Sequence, residues 1–507
     1  MTAADDTPAP PPPPPPPPVT GTGTGAGTSG SDLHLDLPAH GARRTVLAQA
    51  LRDAVRSGRL AGGTRLPPYR TLAADLGMAR GAVADAYAEL VAEGWFTARQ
   101  GSGTRVAEGV AAGAPAAPGP PDPRAASPHF DLVQGKPDPS AFPRAAWSTS
   151  ARRALAAAPA EAFGPGDPQG RPELRRALAG YLTRARGVRT DADHIVIVAG
   201  FAGALRLLAA GRPRDWACEA YGLPFHHGLL ASAGVRAHAV PVDDDGARTD
   251  LLPGRARTAL LTPAHQFPTG GPLLPSRRTA AVEWARATGG LIVEDDYDGE
   301  FRYDRKPVGA LQGLAPDHVV YGGSLSKSLS PAIRLGWLVV PDALLDPLLA
   351  AKGVREPWSS SLEQLTLADF LDSGGYDRHV RRMRARYRAR RDTLTAALSR
   401  AVPRLPVTGI AAGLHAVLTL PPGTERATLA AADAAGLALD PLSAYHHPAA
   451  AGPPREGLVI GFAALPDHAF ARAVGALTGV LEDLGFGGRT GDLPPAPAFT
   501  SFRRAPS

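Results

Sequence analysis

Near the amino terminus, apolar residues recur every three or four positions: Val46, Leu47, Ala50, Leu51 and Val55, ending at Ser57-Gly58. That spacing predicts an amphipathic helix with one buried stripe. After Leu66-Pro67-Pro68 a short helix is predicted over Tyr69–Leu76, with Gly77 as a turn. A second helix follows over Ala79–Glu93 and turns Val83, Ala86, Tyr87 and Leu90 inward. Two such helices joined by a glycine turn have helix-turn-helix geometry. The stretches Trp95–Ala98 and Arg99–Val106, with Gly101 and Gly103 at the tip, predict a hairpin beside them, a wing.

Farther along the chain the pattern changes to short continuous apolar runs. Ile195–Val198, Leu291–Val293 and His318–Tyr321 read as strands buried on both faces of a parallel sheet, and helical stretches alternate with them. The first run leads through Ala199-Gly200-Phe201-Ala202-Gly203 into a helix over Ala204–Ala210. Backbone N–H groups at such a turn suit a phosphate. The second run ends in Glu294-Asp295-Asp296-Tyr297-Asp298, and the third leads through Gly322-Gly323 to Ser324-Leu325-Ser326-Lys327. Carboxyl ends of strands are where open α/β sheets bind ligands.

With 507 residues the chain predicts two or three domains, and its 44% hydrophobic content supports large cores. Residues 1–32 form a Pro/Gly/Thr-rich tail expected to be disordered, and 33–107 hold the helix-turn-helix and wing. Residues 108–128 are an Ala/Pro/Gly-rich linker, 129–486 the α/β domain, and 487–507 a second disordered tail. The net charge is +6, and residues 33–107 carry ten arginines against six acidic residues, which favours an anionic partner there. A single cysteine, Cys218, excludes intramolecular disulfides and fits a reducing cytoplasm. No apolar run approaches the ~18 residues of a membrane span, and the acidic, proline-rich start is not a signal peptide.

Lys327 is one of four lysines among 54 basic residues. Unlike arginine, a lysine can lose its proton and attack an aldehyde. Asp295, at the end of the preceding strand, can face a pyridine nitrogen, and Tyr297 can bond a ring oxygen. Ser324, Ser326 and Arg334 are placed to hold a phosphate, Arg334 as a bidentate clamp. Acid, lysine and arginine in this order point to a Schiff-base site for pyridoxal phosphate (PLP).

The stretches Val293–Tyr303 and Gly323–Arg334 resemble the MocR/GabR family. So do Phe142–Trp147, Gly166-Asp167-Pro168-Gln169-Gly170 and Thr262–Gly270. The resemblance runs from about residue 33 to about residue 485. It implies a GntR-type winged helix-turn-helix domain joined to an α/β PLP-dependent transferase domain of fold type I. Lys327 would be the Schiff-base lysine, with Asp295, Tyr297, Ser324, Ser326, Arg334, Gly200 and Phe201 around the cofactor. Arg70, Arg80, Gln100 and Gly103 match DNA-contacting positions, and Arg43, Arg44 and Arg65 are candidates for phosphate contact. The family implies a cytoplasmic regulator, a head-to-tail homodimer, operator DNA as partner, and PLP or an amino compound as effector. A catalytically active aminotransferase carrying a DNA-binding domain is the alternative, and a scaffold that has lost its cofactor is a third reading.

The chain departs from that pattern in several places. The recognition helix opens Ala79-Arg80-Gly81-Ala82, without the usual hydroxyls. Leu223 stands where relatives place a stacking ring, unless Tyr221 substitutes. Phe267 replaces an asparagine that true aminotransferases direct at the cofactor. Leu458–Phe462 lacks the arginine that clamps a substrate carboxylate. Transamination of common α-amino acids is therefore not expected. The arginine-rich run Arg378–Arg391 fits either structural pairing or auxiliary DNA contact. The pairs His226-His227 and His446-His447 lack metal-site company and are unassigned, and no metal site is expected.

Overall fold

The computed structural model describes residues 43–99, 103–108, 130–211, 213–303, 308–353 and 359–487. The tails and the linker expected from the sequence fall outside these residues, apart from Glu108 and Gly487 at the margins. The chain divides into two compact units between Ser127 and Pro128.

In the first unit, helices run over Arg43–Arg56, Tyr69–Asp75 and Arg80–Ala92. Leu47, Leu51, Val83, Leu90, Phe96 and Val106 are fully enclosed in one core, as the helical spacing requires. Strands Phe96–Arg99 and Gly103–Val106 pair antiparallel, Phe96 opposite Val106, and form the wing. Ala79 sits at the start of the third helix and gives it no side-chain cap. An uncapped start costs a helix about 0.5–2 kcal/mol relative to Ser, Thr or Asp.

The second unit is built on a seven-stranded sheet. Its spatial order is Ile195–Val198, Gly336–Val339, Val319–Ser324, Leu291–Asp295, Thr258–Leu261, Asp215–Glu219 and Arg236–Val240. Gly336–Val339 runs antiparallel to both neighbours and the rest run parallel. Consequently Val198, Glu219, Leu261, Asp295 and Ser324 end at the same sheet edge. A four-stranded antiparallel sheet, with His415–Thr419 and Gly457–Gly461 at its centre, packs with helices Gly375–Ala401 and Asp467–Asp483 into a separate core. No helix among the described residues is long and apolar enough to cross a membrane.

Two elements differ from the sequence expectation. The third strand continues through Gly322-Gly323 to Ser324 rather than ending at Tyr321. A Cβ at Gly322 would strike the Phe201 ring, and one at Gly323 the Trp337 indole, so these glycines let the strand pass under two aromatic side chains. The helix expected from Ala204 already starts at Gly200, and Gly200 takes a φ of +75°, a left-handed turn that glycine makes without strain.

Candidate functional site

One cavity of about 180 Å³ opens at the carboxyl edge of the large sheet. Gly200, Phe201, Asp295, Tyr297, Ser324, Ser326, Lys327 and Arg334 all line it, so the structure brings together every residue expected around the cofactor. The sheet explains how. Asp295 and Gly322 are register partners on adjacent parallel strands, so the acid and the serine–lysine turn leave the sheet side by side.

Within the cavity, Lys327 Nζ donates to Gly135 O at 2.7 Å. Burial holds its pKa below the usual lysine value, against the opposing pull of Asp298 and Asp295. Asp295 is 7% exposed. Burial raises its pKa well above the usual carboxylate value, Asp296 adds to that, and Lys327 works against it. A carboxyl in such surroundings favours a cationic partner. Its neighbours in sequence point the other way: Arg186 grips Asp296 at 2.6 and 3.0 Å, and Glu294 accepts from the N–H groups of Leu311 and Gln312.

At the cavity's other end, Ser324 Oγ accepts from Ser326 N at 3.4 Å, and the Arg334 guanidinium donates to Ala199 O at 3.1 Å. Arg334 is the one non-glycine residue with positive φ among the described residues, at 57°. That conformation costs about 1–2 kcal/mol and sets the guanidinium over Gly200, at the uncapped start of helix Gly200–Ala210. Serine hydroxyls, a guanidinium and helix-start N–H groups form a donor set that suits a phosphate.

Sequence reasoning gave no role at the site to His226, Glu219 or His265. His226 lines the cavity, its ring centroid 5.5 Å from that of Phe201, and burial with Lys327 lowers its pKa to about 4. Leu223 and Tyr221 line the cavity too, but the Tyr221 hydroxyl accepts from Arg455 N at 2.6 Å and its ring lies under the Arg455 guanidinium. Glu219, at the end of a neighbouring strand, is bonded by Thr262 and Gln266, and burial pushes its pKa up to about 7. Tyr297 bonds His265, which in turn bonds Asp298. The phase of helix Pro224–Ser232, which starts just before the His226-His227 pair, was the signal available for His226.

Phe267 is buried where the asparagine was expected, and packs edge-on against Tyr297, His415 and Tyr445. Behind it, Tyr221, Val417, Leu442, Tyr445 and Val459 complete an apolar cluster. Val459 belongs to Leu458–Phe462, the stretch without the clamping arginine.

In the first unit, Arg70 and Arg80 are exposed at the starts of the second and third helices. Gly103 has φ of +83° beside Arg65, and Gln100 lies outside the described residues. Arg43 donates to Gly77 O and Arg44 lies 3.6 Å from Glu89, so both have partners within the unit. In the second unit the arginine run is largely committed: Arg382 bonds His379, Arg384 bonds Glu300 O, Arg386 bonds Asp138 and Asp467, and Arg390 bonds Asp467. These bonds favour structural pairing for the run. Among the described residues no three His, Cys, Asp or Glu side chains group as a metal site.

Comparison with known proteins agrees with this two-part organisation. The family "Bacterial regulatory proteins, gntR family" matches residues 44–106, and "Aminotransferase class I and II" matches residues 131–477. The probable rhizopine catabolism regulatory protein MocR of Rhizobium meliloti is 31% identical over 473 residues, covering 88% of this chain and 94% of that protein. The pyridoxine biosynthesis transcriptional regulator PdxR of Corynebacterium glutamicum is 32% identical over 378 residues, covering 74% of this chain and 82% of that protein. Among solved structures, kynurenine aminotransferase of Pyrococcus horikoshii aligns with a TM-score of 0.65 at 22% identity, covering 71% of this chain and 92% of that one.

Proposed function

The chain belongs to the MocR family of HTH-type transcriptional regulators, a gntR-type unit followed by an aminotransferase class I and II unit, and we propose that it binds operator DNA and senses an effector through a PLP site. The observation that carries the cofactor part is the convergence of Lys327, Asp295 and Arg334 on one cavity. The donor set fits the group: a buried acid for a cationic ring nitrogen, hydroxyls, guanidinium and N–H groups for a phosphate, and an amine for an aldehyde. When bound, PLP supplies that aldehyde and a ring that withdraws electrons.

The residues divide the work. Burial lowers the Lys327 pKa, so a larger neutral, nucleophilic fraction exists near pH 7 than for an exposed lysine. Asp295 would hold the ring nitrogen, and Ser324, Ser326, Arg334 and the backbone of Gly200 and Phe201 would hold the phosphate. Val459 and Phe267 present no partner to a carboxylate, so the effector is PLP itself or an amine whose binding does not depend on one. We assign residues 33–107 to DNA binding, 108–128 to the linker, 129–486 to the sensing domain and the two ends to tails. The working form is a homodimer in the cytoplasm. An effector shifts DNA affinity only through different affinities for two arrangements of the chain.

The test is an absorbance spectrum of the full-length protein with added PLP. A new band in the near-ultraviolet to visible range, absent in Lys327→Ala, is expected. No band in the wild-type protein, or the same band in the variant, overturns the cofactor reading.

A further inference from the structure

We propose that His265, anchored by Asp298, is a positioning residue that fixes the Tyr297 hydroxyl as a hydrogen-bond donor into the cavity. The inference rests on the cofactor reading above. His265 Nδ1 lies 2.8 Å from Asp298 Oδ2 and 2.9 Å from Tyr297 Oη. The side chains of His265 and Asp298 are 3% and 2% exposed, so no water competes for them.

Which atom carries the proton follows from the partners. A carboxylate only accepts, so Nδ1 bears the hydrogen and shares it between Asp298 and the phenol oxygen. The phenol oxygen then accepts from His265 and keeps its own hydrogen. That hydrogen has two destinations, Asp298, which also bonds the phenol, or the cavity that Tyr297 lines. Asp298 has lone pairs for both hydrogens, and it is an acceptor bound in the cavity, such as the cofactor's ring oxygen, that draws the phenol's hydrogen there while His265 keeps Asp298 supplied. Without His265, the phenol becomes the donor that Asp298 takes.

The surroundings hold this arrangement still. Gly413, at φ of +71°, closes over the pair, and a Cβ there would collide with both the His265 ring and Asp298. The other titratable or charged groups facing the pair are His415, whose ring centroid is 5.5 Å from that of His265, Arg391, which shares a small recess with both histidines, and, toward Asp298, Lys327, Asp295 and Tyr303. Tyr297 also faces Asp295, Glu219 and Lys327 across the cavity. His415 gives its own Nε2 to the Pro268 carbonyl at 2.9 Å, so it does not compete for Asp298.

A donor aimed at the cofactor's ring oxygen draws charge away from the nitrogen conjugated to it and lowers that nitrogen's proton affinity. The experiment is therefore a pH titration of the visible absorbance of full-length protein reconstituted with PLP. His265→Phe is expected to raise the midpoint by about one pH unit, about tenfold in proton affinity. His265→Asn, which restores an N–H donor at similar reach, is expected to stay near wild type. In a Tyr297→Phe background, adding His265→Phe is expected to move nothing further. An unchanged midpoint in His265→Phe, or an equal shift without the Tyr297 hydroxyl, overturns the proposal. If circular dichroism shows that His265→Phe does not fold, His265→Leu takes its place with the same two outcomes: a rise supports the proposal and no change overturns it. A wild-type protein without any band fails the cofactor reading itself, a distinguishable outcome.

Discussion

The cavity has two unlike walls. The wall formed by the large sheet presents Asp295, Lys327 and Arg334, groups that are costly to keep out of water without a partner. The opposite side is Phe267 backed by Tyr221, Val417, Tyr445 and Val459, which satisfy one another by packing. The polar wall keeps charged and donor groups to offer a ligand, whereas the apolar one is complete as it stands. Both belong to an aminotransferase-like frame, so on the function proposed above the difference teaches which half of an enzyme's chemistry the regulator would retain: holding a cofactor, without gripping an amino-acid carboxylate.

The contrast can be broken experimentally. Phe267→Ala is expected to cost about 3–5 kcal/mol of stability, read as a lower urea midpoint, while PLP affinity changes little. A large loss of affinity at unchanged stability would mean that the apolar wall is part of the cofactor grip. Asp295→Ala should behave oppositely, weakening PLP binding roughly 10- to 100-fold, the size of a charge-assisted contact, as measured by absorbance titration. Unchanged affinity would remove the reason given for the buried acid. Arg70→Ala with Arg80→Ala should leave the absorbance band intact. In gel shifts against salt, the slope of log affinity should become shallower by about 2. An unaltered slope would send the search for DNA contacts elsewhere on the chain.

Much of the polar wall was legible in the sequence because each member follows a strand end or a rare residue. Lys327 stands out in an arginine-rich chain, and Asp295 closes an apolar run. What the sequence hid depends on three-dimensional phase. His226 faces the cavity only because helix Pro224–Ser232 begins where it does. His265 was visible inside a motif, but its bond to Tyr297 joins segments 32 residues apart. Gly322-Gly323 read as a turn because glycine usually ends strands; only the Phe201 and Trp337 rings beside it explain why the strand runs on.

The Arg186–Asp296 pair has a consequence for how such a site can drift. Successive strand residues face opposite ways, so Glu294 and Asp296 turn from the cavity while Asp295 enters it. A one-residue slip would still offer the cavity a carboxylate, from either neighbour. The slip that brings Asp296 to the cavity sets Tyr297 against Arg186, now buried and bidentate to Asp296, and an uncompensated buried charge costs about 3–5 kcal/mol; the opposite slip sets Val293 against the Leu311 and Gln312 N–H groups that Glu294 now accepts. The acid is redundant in kind but unique in address. The groups that enforce the address, an arginine and two backbone N–H groups, lie behind the strand, so insertions or deletions here should be selected against through folding before any ligand is involved.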